Sequence, residues 1–230
     1  MRRQFFLRPS FFPAVTFAIA TATYGQTVDI NHPPQGRFLD EWFELHMGGA
    51  KIGYAHNTTS RDQERIETGT DFHIKIGRVA NPVVMDTTQR TTETLAGVPL
   101  GFESEMRFSQ MKSGMRGTVK DGKITVVTSQ YGMEQTQVFD FPKDALLSWG
   151  LFREQVTRGF APGTKYTLKT YAPELRLDGA IPATVAIGEW EEFDVGGKKG
   201  RGQKMTVTME GPTGSLDMVS WVNKEGLPLK

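Results

Sequence analysis

The sequence predicts an all-β fold with minor α content: an extended antiparallel meander curled into an open half-barrel, with one helix packed on the concave face. Three observations carry this expectation. Phe72, Ile74 and Ile76 alternate with His73 and Lys75, and Leu100, Phe102, Met106 and Phe108 alternate with Glu103, Glu105 and Arg107. A period of two buries one face of a strand and leaves the other wet. Segments of this kind follow one another from Trp42 to Trp221, with turn signals such as Asp121-Gly122 between them, as in a meander of hairpins. A single stretch changes period: Ala145, Ser148, Trp149, Phe152 and Val156 fall three or four residues apart, which is one face of a helix.

Taken in order, residues 42–47 form a strand, Gly48-Gly49 supplies a turn tolerant of positive φ, and residues 51–59 return. Strands are expected over 67–78, 83–94, 100–110, 115–120, 123–131 and 133–141. Asp144 is placed to cap the helix, Arg153 and Arg158 suit its C-terminal half, and Gly159 with Pro162 ends it. A helix this short is marginal alone and must bury its aromatic face against the sheet. Strands resume over 164–171, 184–195, 204–210 and 216–222. An open half-barrel leaves a concave pocket beneath the helix. The alternative is a closed sandwich or barrel whose aromatics fill the core.

Arg2, Arg3 and Arg8 precede an apolar stretch over 11–22, too short to span a bilayer and typical of a cleavable signal peptide. Small residues suit cleavage after Ala22 or Gly25. The expected organisation is a signal peptide over 1–25, a linker over 26–39 that contains Asn31-His32-Pro33-Pro34, and one β-rich domain over 40–230. The product is therefore an exported, periplasmic or extracellular protein of a bacterium. Arg2-Arg3 also fits twin-arginine export. With no cysteine in the chain there is neither a disulfide nor a lipid-bearing cysteine, so stability comes from core burial. Loss of the three arginines takes the 27 basic residues to 24 against 26 acidic ones, a net charge of −2, which argues against general nucleic-acid binding. No second apolar run approaches the length of a membrane helix, and no cofactor is implied.

The chemistry-bearing residues are sparse. His32, His46, His56 and His73 lack the spacing of a compact metal site, although a turn at Gly48-Gly49 can bring His46 and His56 near each other. Glu103 with Glu105, and Glu189 with Glu191, share a strand face as glycosidase carboxylates do, and also as any solvated strand face does. The run Gly196-Gly197-Lys198-Lys199-Gly200-Arg201-Gly202 can hold an anion on backbone amides, but reads more simply as a hairpin tip. No catalytic or metal site emerges. The best candidates are aromatics that would line an apolar groove in an open half-barrel: Trp42, Tyr54, Phe72, Phe102, Trp149, Phe152 and Trp190. Such a groove suits a lipid, another apolar small molecule or an extended peptide.

Trp42-Phe43-Glu44-Leu45, Gly49 and Lys51-Ile52-Gly53-Tyr54-Ala55-His56 resemble the opening hairpin of exported bacterial proteins that carry a transglutaminase-like domain further along. The closing stretch Trp221-Val222-Asn223-Lys224-Glu225-Gly226-Leu227-Pro228-Leu229-Lys230 resembles both that family and the LolA-like half-barrel carriers. The resemblance implies a noncatalytic accessory domain that positions a substrate or partner for a downstream domain. Separately, the turn-like Asn223-Lys224-Glu225-Gly226 followed by only four strand-like residues leads to the expectation that the last hairpin continues beyond Lys230. A transglutaminase-like site needs a nucleophilic cysteine, so no catalytic role transfers to this chain. Two alternatives stand beside it: a free-standing periplasmic carrier of an apolar ligand, and a hydrolase with a dispersed site.

Overall fold

The computed structural model describes residues 28–47, 50–77, 82–109, 111–195, 198–211, 214–224 and 226, with backbone alone for His46, Met47, Val195 and Lys198. The stretch read as a signal peptide, the glycine pairs 48–49 and 196–197 read as turns, and the closing residues 227–230 lie outside the described residues. The first sheet has eight antiparallel strands in sequence order. They are β1 (Gly36–Met47), β2 (Ala50–Asp62), β3 (Arg65–Ile76), β4 (Val83–Thr94), β5 (Pro99–Phe108), β6 (Met111–Lys120), β7 (Lys123–Gln130) and β8 (Met133–Asp140). Asp121-Gly122 does what the sequence predicts, with both residues at positive φ (51° and 71°) between paired Lys120 and Lys123. That geometry matches the right-handed twist of the flanking strands. Tyr131-Gly132 repeats it between β7 and β8. Among the described residues β8 does not pair with β1, so the meander stays open as a half-barrel.

After β8 the chain crosses into β9 (Ala145–Leu146), the helix α1 (Ser148–Arg158), β10 (Lys165–Thr170), β11 (Ile181–Val195), β12 (Lys198–Gly211) and β13 (Gly214–Val222). These strands form a second sheet in the order β13-β12-β11-β10-β9, with β9 parallel to β10. The helix packs against β3 and β4 on the concave side. Trp149 and Phe152 join Ile66 in one core cluster, a second lies within the later sheet around Ile181, Val185 and Met205, and a third gathers Phe102, Ile124, Val126 and Tyr171.

Two local expectations are corrected. Asp144 does not cap the helix: it sits at φ 61° before β9, the helix begins at Ser148, and its N-cap is Leu147. Ala145 and Leu146 instead pair with Lys169 and Thr170, a contact that a helical period read along one segment does not reveal. The end of the helix is as expected, with Gly159 at φ 77° as C-cap and Arg158 in the last turn. The stretch read as linker is held to the domain. Val28 and Ile30 pack on the Trp149 cluster, Arg61 donates to the Pro33 carbonyl at 2.8 Å, and β1 already starts at Gly36.

Gly97, in the β4–β5 turn, has φ 83°, and a Cβ there would lie 2.8 Å from the Gly150 Cα. The turn and the start of the helix are thus in backbone contact. Gly97→Ala should cost about 1–3 kcal/mol from strain and overpacking, measured by urea denaturation. A neutral result would show that the turn and helix separate freely.

Candidate functional site

The inner face of the half-barrel and the later sheet enclose a pocket with the helix as one wall. It holds about 720 Å³ of non-atom space, its open mouth included. The first sheet contributes Leu39, Asn57, Thr59 and Thr68, the helix contributes Trp149, Leu151, Phe152 and Gln155, and the later sheet contributes Leu168, Thr170, Val185, Val207 and Met209. Alternation explains the selection: Leu39, Asn57, Thr59, Val185, Val207 and Met209 are all buried members of strands that alternate in and out. The wall is predominantly hydrocarbon, and the buried Gln155 contributes a polar amide.

A second pocket, with about 580 Å³ of non-atom space including its open mouth, shares Thr68 and Ser148 with the first. Its lining is more polar, with Thr70, Gln89, Thr91 and Glu174 beside Phe102 and Tyr171. Gln89 donates to Glu174 at 2.8 Å, joining β4 to the loop that follows β10. Burial pushes the Tyr171 phenol up to about 12, and its hydroxyl donates to the Leu177 carbonyl at 2.8 Å.

Glu93 fixes the wall between strand and helix. Its carboxylate is fully buried and accepts from the backbone amides of Trp149 at 2.6 Å and Gly150 at 2.8 Å, and from the Thr91 hydroxyl at 3.2 Å. The helix has no side-chain cap of its own and no acid in its first turn. Glu93 therefore satisfies first-turn amides from 56 residues away. Burial pushes its carboxyl up to about 7, while the two amides and Thr91 pull the other way.

The aromatic candidates divide. Trp149 and Phe152 line the first pocket and Phe102 the second. Phe72 is buried core and lines neither. Trp42 and Tyr54 lie on the outer face, 63% and 41% exposed, because they alternate with the buried Glu41 and Ala55. Trp190 follows an irregularity between Ile187 and Trp190 that interrupts the alternation of β11, and it is exposed. The pocket thus does not bring all seven together.

His46 pairs with Lys51 and His56 with Trp42, so the two histidines stand four strand positions apart, about 13 Å. Among the described residues no group of three or more histidines and carboxylates can hold a metal. Glu103, Glu105, Glu189 and Glu191 are solvent-exposed.

Neither family models nor curated proteins match this chain. One solved structure shares its fold. It is the crystal structure of a β-barrel-like protein of Domain of Unknown Function DUF1849 from Brucella abortus, with a TM-score of 0.57 and 13% identity, covering 84% of this chain and 88% of that one. At that identity the likeness is one of architecture alone, and it agrees with the barrel-like arrangement described above.

Sequence reasoning missed Glu93, Gln155 and the inward threonines. A signal existed in β4, whose inner positions Thr87, Gln89, Thr91 and Glu93 are as polar as its outer ones. A central strand that is polar on both faces borders a cavity or carries a buried polar contact.

Proposed function

We propose that this chain is a noncatalytic binding domain of an exported protein, taking an acyl chain or similar apolar ligand between its helix and its two sheets. One observation carries the reading: the mostly hydrocarbon pocket walled by Trp149, Phe152, Leu168, Val185 and Met209 and open at one side. Concave, mostly apolar clefts with few polar groups are the usual form of apolar ligand sites. Whether it serves as an accessory to a transglutaminase-like domain, on the strength of the opening hairpin, or as a free carrier in the LolA-like manner, the binding step is the same.

Palmitate should bind the purified protein saturably and change its tryptophan emission, since Trp149 lines the pocket. Ala183 also lines it, and Ala183→Phe should weaken palmitate binding by more than about tenfold as the added ring fills the site, with the circular dichroism spectrum unchanged. Absence of saturable binding to the folded wild-type protein would sink the proposal.

A further inference from the structure

The outer face of the first sheet carries an arrangement that the inner pocket does not explain. Trp42 pairs with His56 across β1 and β2, and their rings stack 4.1 Å apart with planes 8° from parallel. Tyr54 pairs with His73 across β2 and β3, and these rings stack at 5.1 Å and 24°. Each histidine is held in turn by a carboxylate. His56 Nε2 lies 2.8 Å from Asp40, and His73 Nδ1 lies 2.6 Å from Asp86.

Strand order decides which way the aromatic faces look. Trp42 stands on β1, which pairs only with β2 among the described residues, and leans inward onto a β2 histidine. Tyr54 stands on β2 and leans onto a β3 histidine. Both rings thus have an imidazole on the side away from the β1 edge, and on the other side Tyr54 has Trp42 and its cross-strand neighbour Glu44. Their centroids are 5.6 Å apart with planes 45° from parallel, so the two rings form adjacent facets tilted against each other. Cross-strand pairing accounts for each contact taken singly. It does not require both rings to be immobilised while remaining 63% and 41% exposed.

The surroundings select the ligand. Asp40, Glu44, Asp71 and Asp86 ring the two facets, and the cations Arg37, Lys51 and Arg90 are already paired with the first three. Charges of both signs stand here, the exposed Lys75 beside His73 included, so the face offers a phosphate-bearing polymer no strong net positive field. A protein partner would seek a contiguous apolar patch, whereas here two rings stand among charges. A sugar ring meets both demands: its polarised C–H face packs on the negative face of an aromatic ring, and its hydroxyls both donate to carboxylates and accept from guanidinium or ammonium groups. We propose that this face binds an uncharged polysaccharide, with successive sugar rings on Trp42 and Tyr54. Because the rings are already fixed by His56 and His73, little side-chain freedom is lost on binding.

Co-sedimentation with cellulose, chitin and insoluble β-1,3-glucan, three uncharged polysaccharides, tests this. The wild-type protein should sediment with at least one of them. Trp42→Ala and Tyr54→Ala should each weaken that binding about tenfold, and Trp42→Phe should retain part of it. His56→Ala should weaken binding to a lesser degree by freeing the Trp42 ring. Palmitate binding should be unchanged in all four variants, since none of these residues lines the inner pocket. Failure of the wild type to sediment with any of the three overturns the proposal. So does a Trp42→Ala/Tyr54→Ala double variant that sediments like the wild type. Loss of palmitate binding in the wild type would bear only on the inner pocket.

Discussion

Glu93→Ala should destabilise the domain by about 2–4 kcal/mol, the scale for leaving two buried amides without their acceptor. The backbone amides of Trp149 and Gly150 would lose their acceptor in a place that water does not reach, because Glu93 itself is fully buried. Leu147 has no side-chain oxygen to take over as cap. Urea denaturation would measure the loss, and a change below about 1 kcal/mol, the ordinary effect of a surface substitution or an exposed cap, would show that the contact does not hold the helix. The same residue sets a pH dependence. Its folded-state carboxyl is pushed up to about 7 from the ordinary 4.5, so between those values the native state holds a proton that the unfolded chain has released. Stability from this group is therefore complete below about pH 4.5, falls as pH rises, and levels off above about 7, a drop of order 3 kcal/mol at most. Asp40 and Asp140 act oppositely and lower, because hydrogen bonds from His56 and Lys123 respectively hold their carboxyls below the ordinary 3.8. Their contributions are lost only as pH falls through the acid range. Glu93→Gln should flatten the profile between 4.5 and 7, and a variant with the wild-type slope would assign that slope to other groups.

Trp149→Ala should cost a further 3–5 kcal/mol by the same measurement, as for other fully buried tryptophans. The side chain is 1% exposed, packs edge-on to Phe38 at 5.9 Å and beside Phe152 at 5.6 Å, and donates from its indole nitrogen to the Leu95 carbonyl at 2.9 Å. Truncation opens a cavity and strands that carbonyl. Since a domain has only about 5–15 kcal/mol in hand, the variant should be cold-stable at best and unfold at low urea. Trp149 is thus core and pocket wall at once, which is more than the groove-lining role that its sequence position suggests. Palmitate should stabilise the wild type against urea and the variant much less, through loss of the aromatic wall. An equal shift for both would place the ligand away from the helix.

These two residues mark the limit of what the chain reveals along its length. Nearly every strand and both Asp121-Gly122 turn residues were legible, because alternation and turn chemistry are local and repeat within a few residues. The helix was legible through Trp149, Phe152 and Val156, and so was its end at Gly159. Its start was not. Ala145 and Leu146 satisfy a helical period but are claimed by β10, and the cap comes from β4, which no local pattern announces.

The candidate site shows the same division. Sequence placed Trp149, Phe152 and Phe102 at cavities and could not separate them from Trp42 and Tyr54, since an aromatic on a strand looks alike whichever face it takes. The period of two says that a strand has an inside and an outside. Sequence alone established a β meander interrupted by one helix, in a chain without cysteine, and left open whether the sheet closes. Tertiary structure decided which face turned inward, that a second sheet closes over the helix, and that Glu93 meets the amides of Trp149 and Gly150. Those contacts join residues far apart in sequence, and their energy depends on burial that exists only once both sheets are in place.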